Sequence, residues 1–80
     1  MSGRINVKGV ISAITYPGTG SEPVVTALLR VDRGTLLLSF LGRTDVHSFR
    51  IGSRMHVKGT LAEKQGFPTV FNPQYSVLRY

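Results

Sequence analysis

Val7-Lys8-Gly9-Val10-Ile11 and Val57-Lys58-Gly59-Thr60-Leu61 repeat the tripeptide Val-Lys-Gly fifty residues apart in a chain of 80. Both copies are dense in β-branched residues and read as strands. A glycine inside a strand costs backbone entropy and packs no side chain, so it marks a bulge, a sharp corner or a close backbone approach. Two such strands towards the ends of a short chain predict a small, strongly curled all-β barrel.

Working outward, residues 4–16 begin by alternating, Ile5 and Val7 against Arg4, Asn6 and Lys8. The phase slips around Gly9-Val10-Ile11, and a bulge at Gly9 would let one long strand serve two sides of a barrel. Tyr16 to Pro23 is a loop with two prolines and two glycines. The second strand, 24–32, places Val25, Ala27, Leu29 and Val31 on one face, and Asp32-Arg33-Gly34 is a tight hairpin signal. The third, 35–41, sets Leu36, Leu38 and Phe40 against Thr35, Leu37, Ser39 and Leu41. Residues 43–50 leave room for one helical turn at most, capped by Thr44 or Asp45. The fourth strand sets Met55, Val57, Gly59 and Leu61 against Arg54, His56, Lys58 and Thr60, and Glu63 to Gly66 form a hairpin loop. The fifth, 67–78, is interrupted at Asn72-Pro73, which fits an edge or a bulge. Phe40, Phe71 and Tyr75 are expected in the core, with Phe49 anchoring the connection before strand four. Five strands without an amphipathic helix predict an all-β fold; an SH3-like barrel competes on strand count.

Eighty residues make one domain, 1–80, large enough to bury roughly 60% of its unfolded surface. There is no cysteine, so neither disulfides nor a thiolate metal site supports the core. No apolar run approaches the ~20 residues of a membrane span, and no apolar signal core follows Met1. A soluble, cytoplasmic protein without a membrane partner is expected. Seven arginines and three lysines against four acids give +6. That excess draws polyanions, and the arginine bias adds a planar group able to pair with phosphate and stack on bases.

The chain resembles OB-fold domains over most of its length. The residues carrying the resemblance are Val7-Lys8-Gly9-Val10, then Leu36-x-Leu38-x-Phe40-Leu41-Gly42-Arg43, then Ile51-Gly52-Ser53-Arg54-Met55-x-Val57-x-Gly59-x-Leu61, and finally Asn72-Pro73-Gln74-Tyr75. Their order is similar to the wedge domain of the RecG branched-DNA helicase, and the stretch Ile51 to Leu61 is similar to single-stranded-DNA-binding and PriB-type proteins. The resemblance implies a five-stranded Greek-key OB-fold barrel, with strands one and four side by side and a short or absent helix between strands three and four. It further implies non-catalytic binding of nucleic acid, single-stranded DNA ahead of RNA, with little sequence preference. OB folds bind strands across the outer face of strands two and three and the adjoining loops. On this chain that selects Arg30, Arg33, Arg43, Arg50 and Lys64 for phosphates, and Phe67 and Tyr16 for stacking on bases.

Duller readings stand beside these. Tyr16 and Phe67 could equally cover a barrel end. His47 and His56 have few acids around them and read as surface histidines rather than metal ligands; no metal or cofactor is implied. The serines lack a nucleophile-elbow context and the four acids offer no catalytic pair, so no enzyme is expected. If Leu36, Leu38 and Phe40 face inward, then Leu28, Leu37 and Leu41 face outward as an apolar patch. This supports an alternative function, a protein-interaction module forming homo-oligomers or docking to an assembly.

Overall fold

A computed structural model describes residues 3–79. It contains six strands, β1 (Gly3–Thr15), β2 (Val24–Val31), β3 (Gly34–Leu41), β4 (Arg54–Lys64), β5 (Phe67–Phe71) and β6 (Gln74–Val77), and no helix among the described residues. Strand order β1-β2-β3-β5-β4 closes into a ring through β1–β4, with β6 alongside β4. The pairings are antiparallel apart from β3–β5, which is parallel.

β1 makes the closure possible by changing partner along its length. Residues 3–10 pair with β4 and residues 10–15 with β2, so Val10 faces Arg54 on one side and Arg30 on the other. The bulge that re-phases the strand is at Ser12, between Ile11 and Ala13, rather than at Gly9. Ile5, Val7, Gly9 and Ile11 therefore keep one inward parity, opposite Gly59, Val57, Met55 and Leu29. The extra residue then returns Ile14 to the inside, opposite Ala27. A bulge bends the strand and increases its twist, which is what a small closed ring needs.

The two glycines serve close packing. A Cβ on Gly9 would lie 2.4 Å from the Arg30 carbonyl oxygen and 2.9 Å from Leu29 Cγ. On Gly59 it would lie 2.6 Å from Val70 Cγ1. Only hydrogen fits at either inward position.

The interior is built from Ile11, Val25, Ala27, Leu29, Leu38, Met55, Val57 and Val70, the inward positions that alternation selects on the first four strands, with Val70 from β5. On β5 the expectation fails for Phe71, which is 40% exposed, because Val70 takes the inward parity opposite Leu61 and beside Leu38. The fifth strand of the sequence reading is two strands. Asn72, at φ 48°, ends β5, and its side-chain oxygen accepts a hydrogen bond from Leu41 N at 2.8 Å. Asparagine tolerates this left-handed backbone better than most residues.

Residues 42–53 close one end of the ring without a helical turn. Val46 and Phe49 are buried. Phe49 packs 5.6 Å from Phe40 and 5.4 Å, edge-on, from Tyr75, whose hydroxyl hydrogen-bonds Ser48. The segment is tied to β1 by Gly52 N donating to Ile11 O and Ile11 N to Ser53 O. Asp45 accepts from Val46 N but starts no helix.

Candidate nucleic-acid interface

Strand alternation sends Leu28, Leu37, Ser39, Leu41, Thr69 and Phe71 to the outer face of β2–β3–β5. Cross-strand pairing joins Leu28 to Leu37, Leu37 to Thr69, and Ser39 to Phe71. Leu41 is 49% exposed and Phe67 and Phe71 are each 40% exposed, whereas Leu28 and Leu37 are half-buried. Ser39 and Thr69 share the outward parity but are buried, as small side chains among larger ones. The Ser39 hydroxyl has no hydrogen-bond partner among the described residues. The face is therefore an apolar surface bearing two accessible aromatic rings.

Of the sequence-selected residues, Phe67 and Lys64 are cross-strand partners in the turn between β4 and β5. Gln65 and Gly66 form that two-residue turn with φ values of 53° and 81°, the left-handed pair a type I′ hairpin requires. Tyr16 is 48% exposed and follows Thr15, which pairs with Thr26 on this same face. Arg43, exposed, follows Leu41 by two residues at the end of β3. These four border the aromatic face.

Arg33 and Arg50 go elsewhere, and Arg30 stands at the seam. Arg30 points outward from β2 between Thr35 and Val10. It also lines a depression of about 270 Å³ with Lys8 and Arg54. A second depression, about 480 Å³, continues from Lys8 past Asp32 to Arg33. A third, about 300 Å³, continues from Arg54 and Leu78 to Arg50 and Ile51. Lys8, Val31 and Asp32 are common to the first two and Arg54 and Leu78 to the first and third, so the three adjoin one another as a groove along the β1–β4 side of the ring; a further depression with His47 and Phe49 adjoins the third through Arg50.

Lys8 and Arg54 line this groove and are absent from the residues selected on the sequence. Their signal was present: Arg4 and Lys8, and Arg54 and Lys58, occupy the polar parity of the two glycine-bearing strands. Antiparallel pairing places Arg4 opposite Thr60, Asn6 opposite Lys58, Lys8 opposite His56 and Val10 opposite Arg54. His56 hydrogen-bonds Asn6 across this ladder. The chain's four acids lie outside it: Glu22 in the first loop, Asp32 in the β2–β3 turn, Asp45 in the long connection and Glu63 near the end of β4. His47 lies 3.2 Å from Asp45 and is exposed. The described residues include no group of three potential metal ligands, and no helix long and apolar enough to cross a membrane.

Compared with known families, curated proteins and solved structures, the chain matches no family model and has no significant sequence or structural match.

Proposed function

We propose that this chain is an OB-fold barrel acting as a non-catalytic, sequence-tolerant nucleic-acid-binding protein of the cytoplasm, with single-stranded DNA favoured over RNA. A first strand that pairs on both sides and lies beside β4 supports the OB-fold reading over the SH3-like one. The observation that carries the function is the outer face of β2–β3–β5, where Phe67 and Phe71 are each 40% exposed although phenylalanine is among the residues most often fully buried. Exposed rings on a sheet give successive bases a stacking platform. Lys64, beside Phe67, and Arg43, at the end of β3, supply cations for the adjoining phosphates.

Stacking contributes about 1–3 kcal/mol per base on alanine substitution. The double variant Phe67→Ala/Phe71→Ala should therefore weaken binding of a fluorescent oligo-dT, followed by anisotropy, by about tenfold or more. Each ring is 40% exposed and so still buries much of its surface; the double variant should also melt lower, and binding is compared well below its midpoint, where it remains folded. An unaltered dissociation constant would place the strand somewhere other than this face.

The exposed Leu41, next to Phe71 on this apolar surface, supports a second reading: a protein-interaction module that self-associates or docks through Leu28, Leu37 and Leu41. Solution mass separates the two. A monomer that binds oligo-dT belongs to the first reading, and a stable oligomer that binds none belongs to the second.

A further inference from the structure

We propose that the groove on the β1–β4 side is a second nucleic-acid-binding surface, one that holds a phosphodiester backbone through its phosphates and offers bases no aromatic platform. The ring order places β1 and β4 across from β3, so this surface faces away from the aromatic face and uses none of Tyr16, Phe67 and Phe71.

Three observations converge on it. Arg30 and Arg54 flank Val10 from the two neighbouring strands, and Lys8 joins them in one depression. Adjoining depressions extend the line to Arg33 at one end and Arg50 at the other. Asp32, beside Arg33, is the one acid among the described residues that line these three depressions. Positive charge collected along one side of the molecule draws a polyanion, where solubility alone would be served as well by spreading the cations.

The uncharged side chains of the lining decide how such a ligand is read. Between the cations the groove presents mainly aliphatic side chains, Val10, Val31, Ile51, Val77 and Leu78 among them, with Asn6 and Ser53 as its uncharged polar groups. Among the described residues no aromatic ring lines these three depressions, and Phe49 and His47 enter only in the adjoining depression beyond Arg50, so the groove offers bases no aromatic platform, only guanidinium planes. Recognition here rests on phosphate charge and is indifferent to base identity. Both a duplex and a single strand carry that chemistry. With stacking on one side and phosphate tracking on the other, the domain can hold two segments of nucleic acid at once.

The test measures anisotropy of a labelled blunt duplex and of labelled oligo-dT across a salt series. It compares the unaltered chain with two triple variants: Lys8→Gln/Arg30→Gln/Arg50→Gln, which removes three charges, and Lys8→Arg/Arg30→Lys/Arg50→Lys, which keeps them. The glutamine triple should flatten the log–log salt slope for the duplex by about 2–3, at roughly 0.9 for each phosphate no longer neutralised. The charge-conserving triple should retain the slope. An equal loss with oligo-dT assigns the groove to any phosphodiester backbone; a loss confined to the duplex assigns it to double-stranded segments. The Phe67→Ala/Phe71→Ala variant should bind duplex as the unaltered chain does. The proposal is overturned if the glutamine triple keeps the original slope and affinity for both probes. It is equally overturned if the charge-conserving triple loses as much, or if the aromatic variant abolishes duplex binding.

Discussion

Gly9 and Gly59 occupy matching sequence contexts but meet different obstacles. At Gly9 the nearest atom to an added methyl is a carbonyl oxygen of the β1–β2 region, Arg30 O. At Gly59 it is one methyl group of Val70. A backbone oxygen in a ladder cannot step aside without moving a strand, whereas a side-chain methyl can be removed. Gly9→Ala should therefore destabilise at the upper end of the roughly 1–3 kcal/mol typical of overpacking, read by urea denaturation. Gly59→Ala should cost less. Its cost should also fall short of additivity with Val70→Ala, because the second substitution empties the space the first one fills. Additive losses at Gly59 and Val70 would mean that the Val70 methyl is not the obstacle.

At the scale of elements, the connection between β3 and β4 shows how a short ring is plugged without a helix. Val46 and Phe49 drop into its open end, and Phe49, Phe40 and Tyr75 form a mutually tilted aromatic trio. Phe49→Ala should cost about 3–5 kcal/mol, as for other buried aromatic deletions. Folded domains hold only about 5–15 kcal/mol in all, so thermal unfolding should shift by tens of degrees or folding should fail; a shift of a few degrees would contradict the packing described. Phe49 was legible in the sequence as an apolar residue stranded in a polar stretch. The first four strands were legible for the same elementary reason: inward and outward residues alternate, and turns carry glycine or proline. The position of the bulge was not, since Ser12 has no chemistry that distinguishes it from its neighbours, and Gly9 drew attention for what proved a steric reason. Phe71 misled because hydrophobicity alone does not say which parity β5 turns inward; that is set by the parallel register with β3, which is a long-range property. Pairing of β1 with β4 is also long-range, and so the cationic ladder stayed divided between two distant segments.

For the whole molecule, the distribution of charge matters more than its total. A net charge of +6 describes many small proteins. Here cations gather on the groove and at the borders of an apolar, aromatic face, while of the four acids only Asp32 lines that groove. On the proposed function, such an arrangement would give binding that is electrostatic in its range and stacking-based in its preference for single strands. The most direct measurement is the affinity of the unaltered chain for a labelled oligo-dT of about 15 nucleotides, within the range one such domain spans, at increasing salt. Binding whose logarithm falls linearly with log salt, with a slope of about −2 or steeper at roughly 0.7 per phosphate, is the result expected. No detectable association at low salt, or an affinity that salt leaves unchanged, would contradict it.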